Sequence, residues 1–109
     1  MENKIFTAEY TQEAINDLKG LDKQNQKRVF KSVMLFEILG KDGVNSRPLD
    51  KNGLFEIKSD KVRIYFMYQN NKVVIIGLIT LKKSQKAPER YIKEAHSRIE
   101  WYLFNEKEL

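Results

Sequence analysis

Nine residues, Val73-Val74-Ile75-Ile76-Gly77-Leu78-Ile79-Thr80-Leu81, form a nearly continuous apolar run that ends in Lys82-Lys83-Ser84-Gln85-Lys86-Ala87-Pro88. A run of this length and composition reads as a buried strand, expected at the centre of a sheet rather than its edge. Pro88 then opens a helix, because proline's missing N–H has no intrahelical partner in a first turn. Three lysines are thus held where a rigid strand ends and a helix begins, a natural place to present cations to a polyanion.

The rest of the chain supplies partners for that strand. Lys4 to Ala8 is short and β-prone and reads as a first strand. Thr11 is suited to cap a helix carrying Ala14, Ile15, Leu18 and Leu21 at helical spacing, with Gly20 closing it. Asp22 offers a cap for a second helix bearing Val29, Phe30, Val33, Met34 and Phe36, and Gly40 suits the left-handed position after it. So short a connection predicts a helical hairpin. Lys41 to Lys51 reads as a polar loop. Leu54 to Lys58 alternates apolar with polar, and Val62, Ile64 and Phe66 alternate with Arg63, Tyr65 and Met67, as half-buried strands do. Gln69-Asn70-Asn71-Lys72 is a hairpin turn in which Asn tolerates positive φ. The last helix carries Ile92, Ala95, Ile99 and Leu103 on one stripe. The order β-α-α-β-β-β-α predicts an α+β domain spanning 1–109, its helices packed on one face of a mostly antiparallel sheet.

Composition narrows the chemistry. No apolar run approaches the ~20 residues that span a bilayer, and Met1-Glu2-Asn3-Lys4 lacks the apolar core of a signal peptide. A chain with no cysteine and one histidine has neither disulfides nor a thiolate or multi-histidine metal site. The expectation is a cytoplasmic protein with no cofactor. The net charge of +5 is unevenly spread: residues 51–98 hold eleven Lys/Arg against four Asp/Glu, whereas residues 1–50 balance at eight each. The excess follows the strand-rich segment, as a polyanion footprint would; a merely solvated, lysine-rich surface is the bland alternative.

Gly53-Leu54-Phe55-Glu56-Ile57-Lys58, Val62-Arg63-Ile64-Tyr65-Phe66 and the strand–lysine–proline junction together resemble the RelE/ParE toxin superfamily, most of all its HigB-like, phage-derived members. Ile92, Ala95 and Arg98 sit where those relatives carry an apolar residue, an alanine and an arginine. The resemblance spans nearly the whole chain and is strongest over residues 53–98. It implies the toxin of a type II toxin–antitoxin pair, a metal-independent endoribonuclease that cuts mRNA on the ribosome. It also implies a cognate antitoxin with a helix-turn-helix domain, through which alone the complex would meet DNA. Members of the same fold also include gyrase poisons that bind protein and catalyse nothing, so the fold alone does not choose. An inactive, phage-derived RNA-binding domain is a third reading.

Several residues are candidates for the chemistry. Arg63 alternates with Val62 and Ile64 and is expected to point away from the core beside Lys58, where a planar guanidinium suits phosphate. Otherwise it is a cross-strand partner for Glu56, worth less than ~1 kcal/mol. Cleavage by a 2′-hydroxyl needs a proton taken from the nucleophile, a proton given to the leaving oxygen, and cations on the phosphorane between these events. Lys58, Lys82 and Lys83 suit those tasks, since clustered cations weaken one another's hold on a proton. Lys86, near a helix N-terminus, is a phosphate holder, and Lys61 and Arg90 complete the RNA-binding set. The resemblance implies a tyrosine near the start of the last helix, and Tyr91 lies one position before the matching place, which Ile92 occupies. Tyr65 and Tyr68 are alternative aromatic faces or core residues. His96, on the flank of the buried stripe, is expected to pack rather than catalyse. Glu100, Trp101, Tyr102 and Phe104 read as a helix end on the sheet, or as part of an antitoxin or dimer contact.

Overall fold

A computed structural model of the protein describes residues 4–105; residues 1–3 and 106–109 lie outside the described residues, and with them most of the Met1–Lys4 stretch that the sequence reading weighs against a signal peptide. Strand β1 (Thr7–Tyr10) leads into α1 (Gln12–Lys19) and α2 (Lys23–Leu39), and a 3-10 turn (Gly40–Gly43) returns the chain to β2 (Asn45–Pro48). Then follow β3 (Leu54–Ser59), β4 (Val62–Tyr68), β5 (Val73–Leu81) and α3 (Glu89–Asn105). The five strands form one sheet in the order β1-β5-β4-β3-β2. Only the β1–β5 pair is parallel; the others are antiparallel. The long apolar run is therefore an interior strand, as its composition requires.

The caps act as the sequence suggests. Thr11 Oγ1 accepts from the Ala14 amide at 3.1 Å and Asp22 Oδ1 from the Asn25 amide at 2.8 Å, satisfying N–H groups that a helix start leaves free. The side-chain Nε2 of Gln26 donates to the carbonyls of Leu18 and Leu21, tying the end of α1 to α2. Gly40 adopts φ 70° with ψ −154°, a combination beyond the left-handed helical region and open essentially to glycine alone.

Four local expectations change. The first strand begins at Thr7, because the Ile5 and Phe6 amides donate instead to the Glu37 carbonyl of α2. Asn45 to Pro48, inside the expected loop, pairs with β3 as an edge strand; an edge needs no alternation of apolar residues and tolerates Pro48 at its end. Asn70 turns the β4–β5 hairpin with its side chain, Oδ1 accepting from the amides of Lys72 and Val73. Among the described non-glycine residues the positive φ falls on Asp60, in the β3–β4 turn. Pro88 immediately precedes α3, its carbonyl accepting the first helical bond from the Ile92 amide.

The largest difference lies in the layering. Ala14, Leu18, Val29, Val33 and Phe36 of the hairpin pack on Ile57, Ile64, Phe66, Ile76 and Ile79. Helix α3 does not share that face: Ala95 and Ile99 cover Leu54, Tyr65, Ile75 and Leu78 on the opposite one. A strand alternates sides residue by residue, so a sheet covered on both faces buries both sets. Gly77 permits the close approach of α3, since a Cβ there would stand 2.5 Å from Ile99 Cγ1. Next to it, the β4–β5 register shifts between Tyr65 and Phe66.

Candidate functional site

The face that carries α3 is also the face on which Glu56, Lys58 and Arg63 stand, Lys58 directly opposite Arg63 and Glu56 diagonal to it across β3 and β4. Arg63 is not exposed. It is 1% accessible and its partner Glu56 is fully buried, because α3 and the segment leading to it roof the side of β4 that sequence alternation alone leaves open. Nε of Arg63 lies 2.7 Å from Glu56 Oε1, an ionic contact made off the N–H direction. Its Nη2 donates to the carbonyls of Ser84 at 3.2 Å and Gln85 at 3.1 Å. The arginine expected to meet phosphate is thus a strut that holds down the lysine-bearing turn, and the ion pair with Glu56 is buried where a surface one was the alternative.

Glu56 has a second partner. Arg47, from the edge strand β2, stands opposite it in the ladder. Its Nε donates to Glu56 Oε2 at 2.5 Å, and its Nη2 reaches the Gln85 carbonyl at 3.5 Å. Two guanidinium groups therefore share one buried carboxylate, and both touch the turn. Arg47 is 47% exposed. Sequence reasoning missed it, since a polar loop gave no reason to single out one cation. Its use depends on a strand pairing that carries no apolar signature.

The remaining candidates fall in two groups. The Lys82 amide donates to the Lys61 carbonyl at 2.6 Å, so the end of β5 meets the β3–β4 turn, and Lys58 lies beside Arg63 in the next strand. Lys58, Lys61, Lys82 and Lys83 thereby share one end of the sheet, with Lys58 and Lys82 partly covered and Lys61 and Lys83 exposed. Lys86 stands exposed in the turn, where Ser84 Oγ donates to its carbonyl. Arg90 and Tyr91 lie in the first turn of α3. Arg90 stacks its guanidinium 4.8 Å from the centre of the Tyr91 ring and donates to its hydroxyl at 3.3 Å. The same ring packs edge-on with Tyr65, 6.4 Å between centres.

Tyr65 and Tyr68 are core residues. Burial pushes the Tyr65 hydroxyl upward in pKa, against the opposing influence of Thr80 and the Arg63 charge; Tyr68 belongs to a cluster with Phe6, Phe36, Phe55 and Phe66. His96 ties α3 to the chain before β3, with Nε2 2.7 Å from Asp50 Oδ2. Asp50 also accepts from the amides of Asn52 and Leu54. Burial would raise its pKa, but these bonds, His96 first, outweigh it and hold the carboxyl below its ordinary value. Arg98 is likewise structural, bridging Asp17 of α1, Glu94 and the Gly77 carbonyl. At the end of α3, Tyr102 donates to Glu9, whereas Trp101 and Phe104 project from the surface.

An open groove of about 630 Å³ runs between β2 and the start of α3, lined by Arg47, Pro48, Leu49, Lys86, Glu89 and Ile92 among others. A second depression of about 300 Å³ lies between α2 and the β2–β3 edge, lined by Arg28, Lys31 and Lys58 among others. Among the described residues no three His, Cys, Asp or Glu side chains gather as metal ligands, and no helix is long and apolar enough to cross a membrane.

Known structures share this architecture. A chain of the archaeal RelE–RelB complex from Pyrococcus horikoshii OT3 superposes with a TM-score of 0.60 at 14% identity, covering 72% of this chain and 96% of that one. A chain of the toxin–antitoxin complex RelBE2 from Mycobacterium tuberculosis gives 0.53 at 18% identity, covering 76% and 98%. At such identities the likeness is one of fold, and the fold is RelE-like. No curated protein sequence matches the chain. The model of the phage-derived Gp49-like proteins (DUF891) matches residues 16–100, from within α1 to near the end of α3, and the chain belongs to that family.

Proposed function

We propose that the protein is the HigB-like toxin of a type II toxin–antitoxin pair, a cytoplasmic, ribosome-dependent mRNA endoribonuclease that needs no metal. The observation that carries this reading is the gathering of Lys58, Lys61, Lys82 and Lys83 at one end of the sheet, beside a turn that Arg63 anchors. Cations fixed on a rigid frame stabilise a phosphorane without reorganising as its charge develops. In this reading one lysine of the set takes the proton from the 2′-hydroxyl and the freed oxygen attacks phosphorus. The bond to the 5′-oxygen breaks, and that oxygen receives a proton from a second lysine or the Tyr91 hydroxyl. The products are a 2′,3′-cyclic phosphate and a 5′-hydroxyl. Arg63 serves by holding the turn, and Lys61, Lys86 and Arg90 hold flanking phosphates. That the Mycobacterium tuberculosis neighbour is a toxin–antitoxin complex supports an antitoxin partner, with a helix-turn-helix domain supplying the DNA binding.

The burial of Arg63 favours a second reading, because it removes one exposed cation from the nuclease set. That reading is a gyrase-inhibiting protein binder. Induced expression separates the two: arrested translation with cuts in ribosome-bound mRNA supports the nuclease, whereas altered plasmid supercoiling with intact mRNA supports the gyrase poison. Unimpaired growth would leave an inactive RNA-binding domain.

A further inference from the structure

Arg47 is fixed on two sides and open on a third. Its Nε is committed to a buried carboxylate and its Nη2 to the Gln85 carbonyl, yet the side chain remains about half exposed and lines the groove between β2 and α3. A guanidinium has five N–H donors in a rigid fork, so donors are left over for a ligand in the groove. Glu56 sets the plane of that fork. Being fully buried and shared with Arg63, the carboxylate cannot swing away, and Arg47 loses little freedom when it binds.

The groove's other walls suit the rest of a nucleotide. Lys86 is a second cation beside Arg47, whereas Pro48, Leu49 and Ile92 are apolar, and Glu89 is an acceptor on the α3 side. We infer that this groove is a nucleotide subsite for single-stranded RNA. Its phosphate lies on Arg47 and Lys86, its base rests over Pro48, Leu49 and Ile92, and Glu89 accepts from an exocyclic amino group. The volume of about 630 Å³ accommodates one such unit. The subsite is separate from the lysines at the sheet end but continuous with them through the turn 82–88, which carries Lys82 and Lys83 at one end and Lys86 near the other. A strand cut at the first would therefore be gripped one step away at the second. This inference rests on the ribonuclease reading, and it gives that reading a binding residue in β2.

The test uses the full chain and a six-nucleotide RNA that is 2′-O-methylated throughout, so binding is observed without cleavage. Amide NMR shifts should map to Arg47–Leu49 and Gln85–Ile92 as well as to the Lys82–Lys83 end. Arg47→Ala should weaken binding on the order of tenfold, the worth of one charge-assisted bond, and abolish the shifts in the groove. Arg47→Lys should restore binding only in part, since an ammonium has no fork to serve Glu56 and phosphate together. Lys86→Glu, at an exposed site that takes no part in the buried pair, gives the same answer should Arg47→Ala unfold. Shifts confined to the sheet end, with unaltered affinity in Arg47→Lys and Lys86→Glu, would overturn the subsite and leave the nuclease reading standing. Absence of RNA binding anywhere, with mRNA left intact on ribosomes, would overturn both.

Discussion

Arg63 Nε lies 2.7 Å from Glu56 Oε1 with neither side chain open to solvent. The contact joins two neighbouring strands and, through the remaining donors of Arg63, the turn that carries the lysines. A buried pair seldom adds much stability over a well-packed apolar one, but breaking it by removing one partner strands the other charge.

Arg63→Ala should therefore cost about 3 kcal/mol, at the low end for a broken buried pair because Glu56 keeps Arg47. Urea denaturation measures it. The doubly apolar Glu56→Leu/Arg63→Met should recover most of that loss. Hydrogen exchange of the Ser84 to Ala87 amides should stay fast in it, because the two Arg63 bonds to the Ser84 and Gln85 carbonyls would be gone. Slow exchange there would mean that the strut is not what orders the turn.

Gly77→Ala should destabilise by about 1–3 kcal/mol, the usual effect of overpacking, since its Cβ would stand 2.5 Å from Ile99 Cγ1 and 2.9 Å from Cδ1. Ile99→Val in the same chain should return part of the loss, as it removes the nearer obstruction's outer methyl. Thermal melting of the two single variants and the double one gives the coupling.

RNA affinity should fall with salt. About three or four phosphate contacts give a slope of roughly −2 to −3 in log K against log salt, at ~0.7 per contact for single strands. Arg47→Ala should flatten that slope by about 0.7. Fluorescence anisotropy over a range of potassium chloride reads both. A slope near zero would remove nucleic acid as the partner.

Lys82→Ala and Lys83→Ala should each slow cleavage of ribosome-bound mRNA, scored by primer extension, whereas His96→Ala should leave the rate intact and cost only stability. A transcript 2′-O-methylated at the cut site should resist, because its nucleophile is blocked. Cleavage of that transcript at an ordinary rate would point to attack by water.

The Asp50–His96 tie should be visible in acid. Asp50 is held below its ordinary pKa of 3.8, so its contribution is fully present above that value and is lost as pH falls through the depressed one. The stability gap between the protein and Asp50→Asn should therefore close below about pH 4. His96→Ala should move the Asp50 titration upward, since it removes the main bond that lowers it; carboxyl NMR shifts would follow the change.

By itself the sequence determined three helices and four of the five strands, and their order. Thr11 and Asp22 announced helix starts, Val73 to Leu81 announced an interior strand, and the lysines after it announced where positive charge would stand. These signals are local: a cap, a period, a run. Three things were decided only in tertiary structure. The strand from Asn45 to Pro48 exists because β3 offers it a ladder, not because its residues favour one. Helix α3 lies on the face opposite the hairpin, a choice that helical periodicity does not encode because an apolar stripe fits either side of a sheet. From that choice followed the fate of Arg63. Alternation gave its side of the strand correctly, but whether that side meets water depends on what folds over it. Once α3 and the turn before it cover the sheet, Arg63 and Glu56 are buried together, and the exposed guanidinium on that carboxylate is Arg47, nine residues away in sequence from Glu56 and directly opposite it in the sheet.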